Sequence, residues 1–396
     1  MPIDSADSNG PEPDEAQRAH SARVLADFRA RLVTHNGWLP FDDWVQHALY
    51  APGLGYYSAG ARKFGASGDF VTAPELSALF AACIARQFAA ARPGESILEL
   101  GAGSGALACD LLVRLQQLDA LPREYRILEV SADLRQRQQQ RVAALPGALA
   151  GRVRWLDGLP AQPLRGMVLA NEVADALPFK RVRWSAGRWR ELGVALDERY
   201  RLQWSERVPG TALRAELQRL FDADDLAHLP EGYSTEVCPA LAPWLASVAA
   251  VLGDGALLLF DYGLGRGELY HPSRSAGTLR CHYRHRAHDD PFLHPGLNDI
   301  THWVDFTRVA EAASDAGLAV AGYCTQAAFL LGGGIGQELE QSVASAKPRQ
   351  AAQWRGEAQR LLMPGEMGET FKAMLLTRGQ AAPWSGFALQ DLRRLL

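Results

Sequence analysis

Asn171, Glu172 and Asp175 lie within the stretch VLANEVADALP, residues 168–178, just after an apolar run from Met167 to Ala170. The run reads as a buried strand, and an amide with two carboxylates at its mouth can grip a cation through paired hydrogen bonds. No His, Cys or Ser stands beside these acids to make a hydrolytic site. A second cluster lies upstream in ILELGAGSGAL, where a strand runs into Gly101, Gly103, Ser104 and Gly105. With Ala106 in the last place this turn also satisfies the G-x-G-x-x-G/A fingerprint of dinucleotide folds.

Two details favour S-adenosylmethionine over a dinucleotide. Glu99 lies two residues before Gly101, where a carboxylate would repel a pyrophosphate but attract an ammonium and a sulfonium. Gly105 makes the turn G-x-G-x-G, which lets backbone approach an amino-acid tail and a ribose closely. Glu129, at the end of YRILEV, is the acid that takes ribose hydroxyls in either scheme. The bland alternative is an ordinary strand–helix turn flanked by solvated strand-end acids.

The elements that must position these groups alternate. SILEL (96–100), YRILEV (125–130), RVRWL (152–156), GMVLAN (166–171) and GALLLFDYG (255–263) read as strands. Helices are expected over 106–118, 132–145, 240–252 and 305–317, and one long helix within 336–362. LAVAGYCTQ (318–326) and FKAMLLTRG (371–379) supply the last strands, expected to pair antiparallel. This rhythm predicts an α/β fold, a Rossmann-like, seven-stranded and mostly parallel sheet with helices on both faces. Apolar residues recur at helical spacing from about Ala22 to Ala48, and Gly- and aromatic-rich 51–75 reads as a long surface loop. Thr72-Ala-Pro-Glu75 reads as a capping box opening a helix to about Ala91. Between Phe179 and Tyr233, RVRWSAGRWRELGVAL and YRLQWSERV alternate polar with apolar residues, as antiparallel hairpins do.

The domain reading is therefore a disordered leader (1–20) and a helical segment with a Gly-rich loop (21–70). The first part of the core (71–178) and a β-rich insertion (179–235) follow. The second part of the core (236–380) carries a loop at 264–303, and a tail (381–396) ends the chain.

Bulk composition narrows the function classes. The chain has 396 residues, 47% apolar and 22% charged, with a net charge of −4. That balance gives no reason to expect nucleic acid or an anionic membrane surface. Five scattered cysteines without a C-x-x-C pair argue for a reducing compartment and against a zinc ribbon. No window approaches the roughly 20 apolar residues of a membrane span. The acidic start MPIDSADSNGPEPDE fits neither a secretory nor a transit signal, so a cytoplasmic address is expected.

GYYSAGARKFGASGDFVTAPELSALF, ILELGAGSGALACDLL, YRILEVSADLRQRQ and NEVADALPFKRV resemble the MidA-like family of S-adenosylmethionine-dependent methyltransferases. LFDYG, GTLRCHYRH, DITHWVDFT, TQAAFLLGGG and MGETFKAMLLTR add to the likeness, which runs from about Gly37 to Gly379. One block departs: the family usually continues PE-x-S with a Pro and Phe-Gly, whereas this chain reads PELSALFAA. The resemblance implies a class I methyltransferase fold with a β-rich insertion and additional helices, and S-adenosylmethionine as cofactor, in a family that contains a mitochondrial complex I assembly arginine methyltransferase; the N-terminal stretch does not read as a mitochondrial presequence, so a bacterial member is expected.

It also implies roles. Glu172 and Asp175, with Asn171, would bind an acceptor arginine, as acid pairs after the fourth strand do in other arginine methyltransferases. Gly68, Asp69 and Thr72 would join the cofactor site, with GASGDF closing over it and Asp69 meeting either the cofactor ammonium or the substrate cation. Asp261 and Tyr262 would form a second wall of the substrate cleft with His282 and His302. HYRHRAH places histidines at 282, 285 and 288, but Arg284 and Arg286 between them argue against a metal, and none is expected. The expected partner is a protein substrate on a respiratory or assembly pathway, with a homodimer left open. Trp184, Trp189 and Trp204 alternate with arginines, which suits either a partner surface or two faces of a ribbon. A small-molecule N- or O-methyltransferase and a cofactor-binding assembly chaperone without turnover are the rival readings.

Overall fold

The residues described in this computed structural model are 12–59, 71–344, 346–379 and 382–396. They divide into two units, each assembled from three chain segments. Gly68 and Asp69 of the cofactor expectation, with the loop GASGDF, lie outside the described residues.

The second unit (71–175, 241–266 and 304–396) carries the sheet that the strand–helix rhythm predicts. Its core strands are β1 (Ser96–Leu100), β2 (Tyr125–Leu128), β3 (Val153–Leu156) and β4 (Leu164–Asn171). Then come β5 (Leu252–Leu264), β6 (Ala319–Thr325) and β7 (Phe371–Arg378). They lie in the order β3-β2-β1-β4-β5-β7-β6. All are parallel except β7, which runs antiparallel to both β5 and β6. A two-residue strand, Val304–Asp305, adds to the end of β5.

Central strands buried on both faces must be apolar throughout, and β1 and β4 show it: every residue of β1 is buried, as are Gly166 to Ala170 of β4. Met167, Leu169, Leu258, Phe260 and Leu375 pack on one face with Phe80, Phe88, Leu111 and Phe329 from the helices Ala78–Ala91, Ala106–Gln117 and Gln326–Gly332. The strand order reverses between β1 and β4, and in such sheets ligands bind outside the carboxyl ends at that point.

Three expectations change. The Thr72–Glu75 block does not cap a helix: Thr72 makes no side-chain bond to the four-residue turn Ala73–Leu76. Ser77 then turns extended and caps Ala78–Ala91 through the Leu79 N–H. Glu75, which a capping box would point back at Thr72, instead faces Ser104 and Arg141. The long helix within 336–362 is two, Ile335–Ala344 and Pro348–Leu362, because Pro348 forces Lys347 into an extended conformation. The N-terminal helix begins at Glu15, inside the expected leader, with Asp14 and Gln17 forming a reciprocal cap.

The first unit joins 12–59 of the described N-terminal segment with 176–240 and 267–303. Lys180–Ser185, Arg188–Leu196 and Leu202–Arg207 form the expected hairpins. Ala186 and Gly187 both take positive φ at the first turn, as a two-residue hairpin of this twist demands. Ser234–Val237 returns along one edge, and Leu39–Pro40 pairs with Arg188–Leu196.

The tryptophans of the ribbon are used internally. Trp189 packs on Trp184 and Phe221, while Trp204 packs on Phe41 beneath the Arg181 guanidinium. Their alternation with arginines is thus that of a ribbon with two faces.

Candidate functional site

Three glycines shape the turn after β1. Gly101, Gly103 and Gly105 have φ of 62°, 54° and 81°, in the left-handed region where a side chain is strained. Gly101 also lies close to the turn after β4, since a Cβ there would come within 3.3 Å of Val173 Cγ2. The glycine loop and the acid turn are therefore neighbours, as the β1–β4 pairing requires.

Glu129 follows β2 and is buried. Its Oε1 accepts the Ser131 N–H (2.9 Å) and its Oε2 the Gln138 Nε2–H (2.9 Å). Val130 beside it is 78% exposed, an apolar side chain at the lip of a charged site.

Glu99 is 3% exposed and accepts the Tyr125 hydroxyl at 2.8 Å. Burial lifts its carboxyl from the ordinary 4.5 to about 7, against the Tyr125 hydrogen bond and with help from Glu129. The carboxylate expected from the sequence is thus a partly protonated group near neutral pH. Below about pH 4.5 it is protonated whether the chain is folded or not. Between 4.5 and 7 the folded state holds the proton longer, so stability falls as pH rises. The total loss is on the order of 3 kcal/mol. Glu99→Gln is expected to flatten that slope and raise the melting midpoint of the cofactor-free protein at about pH 8, which thermal melts across this range would check.

The turn after β4 is the most constrained part of the site. Glu172 has a φ of 53°, rare for a residue with a side chain. Its N–H donates to the Phe260 carbonyl (2.9 Å), one step beyond the last β4–β5 register pair. Asn171 Nδ2 donates to Glu172 Oε1 at 3.1 Å. Asp261, fully buried on β5, accepts the Ala174 and Asp175 N–H groups on Oδ2 (2.9 and 3.2 Å) and the Tyr262 N–H on Oδ1 (3.0 Å). Asp175 is 4% exposed. Burial pushes the Asp261 carboxyl well above the usual carboxylate range, and the neighbouring Asp175 and Glu172 push it further. Three acids thus converge at the carboxyl end of β4, in a setting that favours an incoming cation.

A profile of a family of S-adenosyl-L-methionine-dependent methyltransferases matches residues 79–324. The crystal structure of a Burkholderia thailandensis protein bound to S-adenosyl-homocysteine is 40% identical, with a TM-score of 0.91 over 98% of this chain and 100% of that one. The protein arginine methyltransferase NDUFAF7, mitochondrial, of Danio rerio is 28% identical over 88% of this chain and 85% of its own. That of Homo sapiens is 26% identical over 93% and 86%. The chain belongs to the MidA-like family of S-adenosylmethionine-dependent methyltransferases. Its sheet is the class I methyltransferase sheet, and its cofactor is S-adenosylmethionine.

Within this methyltransferase the remaining expected residues fall in different places. Ser104 donates its hydroxyl to Glu75 and lies within reach of the Arg141 guanidinium. Thr72 is buried, and its carbonyl accepts the Glu75 and Leu76 N–H groups. Tyr262 is half-buried and meets Phe371 edge-on, with ring centroids 5.3 Å apart.

His282 and His302 belong to the other unit. His302 is 3% exposed, donates Nδ1–H to the Trp303 carbonyl and lies 4.5 Å from the Phe179 ring. Burial lowers both histidines to about 4, with Arg280 and His288 adding to the effect on His282, so both are neutral at pH 7. His282, His285 and His288 do not converge. Arg284 and His285 form a left-handed hairpin turn, and His282 and His288, opposite Ala287 and Cys281, point to opposite faces. Among the described residues no group of three or more His, Cys, Asp or Glu could hold a metal ion, and no helix is long and apolar enough to cross a membrane.

The sequence reading missed Gln138 and the clip made by Asp261. A polar residue at a helical position that otherwise faces the core was the available signal for Gln138. Nothing in the sequence separates an acid that binds a ligand from one that binds the backbone.

Proposed function

We propose that this methyltransferase transfers methyl groups to arginine side chains of a protein, on an acceptor connected with respiratory-complex assembly, as the family resemblance implies. The observation that carries the reading is the convergence of Glu172, Asp175 and Asp261 beside the glycine loop. The relatives at 26% and 28% identity that bear the name of protein arginine methyltransferase support it.

A guanidinium is charged at any working pH and presents a planar fork of donors. Glu172 and Asp175 can take that fork, draw the positive charge toward the nitrogens they hold, and leave another nitrogen richer in electron density. Asn171 steadies Glu172 by its hydrogen bond. S-adenosylmethionine, when bound, supplies an electrophilic methyl group on a sulfonium. Glu99 suits its ammonium, Glu129 its ribose hydroxyls, and the exposed Val130 side chain its adenine.

Asp261 acts on this site through the backbone. Without its carboxylate the Ala174 and Asp175 N–H groups lose their shared acceptor, and the acid turn is free to move. Asp261→Ala is expected to lower kcat at least tenfold through lost positioning. Binding of S-adenosylhomocysteine should stay within about twofold, since the variant leaves the glycine loop intact.

Small cations test the reading of the acceptor. Ethylguanidinium should inhibit labelled methyl transfer to lysate proteins, whereas ethylammonium, a point charge of similar size, should not. Equal inhibition by both would mean that the site reads charge alone and would remove the case for arginine.

A further inference from the structure

Gln138 lies on the helix Ala132–Ala143 with no solvent exposure. Its amide is fully used. Nε2 donates to the Gly103 carbonyl (2.9 Å) and to Glu129 Oε2 (2.9 Å), while Oε1 accepts the indole N–H of Trp155 on β3 (2.9 Å). An indole nitrogen only donates, so Oε1 must face Trp155 and Nε2 must face the glycine loop and Glu129. That bond removes the ambiguity of the amide flip. The packing is close as well, since a Cβ at Gly105 would lie 3.3 Å from Gln138 Cγ. A leucine would carry no polar group of its own to satisfy, and the buried amide is tolerated because both its N–H groups and its carbonyl find partners.

We propose that Gln138 is a positioning residue for the cofactor. It ties the Glu129 carboxylate to the carbonyl of the glycine loop, so that the ribose acid and the loop are held as one piece, with Trp155 fixing its orientation. The Ser131 N–H holds the other oxygen of Glu129, so the carboxylate is fixed from both sides before the ligand arrives. Such preorganisation strengthens binding by removing an ordering cost. The inference rests on the assignment of Glu129 to the ribose hydroxyls, and the experiment separates the two.

S-adenosylhomocysteine and its 2′-deoxy analogue would be titrated calorimetrically into wild type, Gln138→Leu, Trp155→Phe and Glu129→Ala. Wild type should lose about tenfold in affinity when the 2′-hydroxyl is deleted. In Gln138→Leu, S-adenosylhomocysteine should bind about tenfold more weakly, and the penalty for the missing hydroxyl should shrink to about threefold or less. Trp155→Phe should shift both quantities the same way by less, and it carries the test if Gln138→Leu folds poorly. Equal weakening of both ligands, with the full penalty retained in Gln138→Leu and Trp155→Phe, would overturn the proposal and leave Gln138 a packing residue. If Glu129→Ala kept the full penalty, the ribose assignment itself would be wrong.

Discussion

Glu172→Gln should bind S-adenosylhomocysteine as wild type does and lose methyl transfer by on the order of 10²- to 10³-fold in kcat. The substitution is nearly isosteric, keeps an oxygen for Asn171 Nδ2, and leaves the N–H that bonds the Phe260 carbonyl. What it removes is one negative charge at the place where an acceptor guanidinium would be held. The loss should appear in kcat more than in KM, because polarising one nitrogen matters most as the new C–N bond forms. Stopped-flow or quench measurement of a single turnover beside a calorimetric titration would separate the two effects. Normal turnover in the variant would remove Glu172 from the acceptor grip.

The second large effect falls on the sheet. Gly166 lies on β4 opposite Ser96 of β1 and Gly255 of β5, with a φ of 135°. A Cβ at this position would lie 2.0 Å from the Ser96 carbonyl oxygen, and one at Gly255 would lie 2.2 Å from the Gly166 carbonyl oxygen. Both obstacles are backbone of central strands, which cannot yield as a flexible side chain would. Gly166→Ala should therefore cost about 3 kcal/mol or more and lower the melting midpoint by roughly 10 °C. Because β4 also carries Glu172, some loss of activity at the working temperature should follow. A variant that melts with wild type would show that β4 and β1 can separate locally at no cost.

The strand–helix core is legible where its central strands are buried on both faces and leave continuous apolar runs, as β1 and β4 do. SILEL matches its strand to the residue, and the strand–helix alternation gives the mostly parallel sheet with its antiparallel last pair. Local rules failed where a side chain had a better partner at a distance. Glu75 left Thr72 for Ser104 and Arg141, and one proline split a helical period that otherwise ran unbroken. The gathering of 12–59 and 267–303 with the hairpins was invisible, because Leu39–Pro40 contributes only two residues to its sheet.

At the candidate site, residue types pointed to the acids, while their division of labour had to come from geometry. Asp261, expected in a substrate wall, carries a carboxylate that accepts the Ala174, Asp175 and Tyr262 amides. Spacing predicts a standing charge at Glu99, whereas burial raises its carboxyl to about 7. The first difference is one of contact geometry and the second of desolvation; both depend on the folded surroundings and leave no trace in spacing.

The most direct test of the account identifies the methylated atom. Wild type and Glu172→Gln would be incubated with methyl-labelled S-adenosylmethionine and a lysate of cells lacking the protein, and the proteins then hydrolysed and separated as amino acids. Label is expected in N-methylarginine with wild type, and little or none with Glu172→Gln. Label in another amino acid or in a small-molecule fraction would contradict it, as would equal labelling by both proteins.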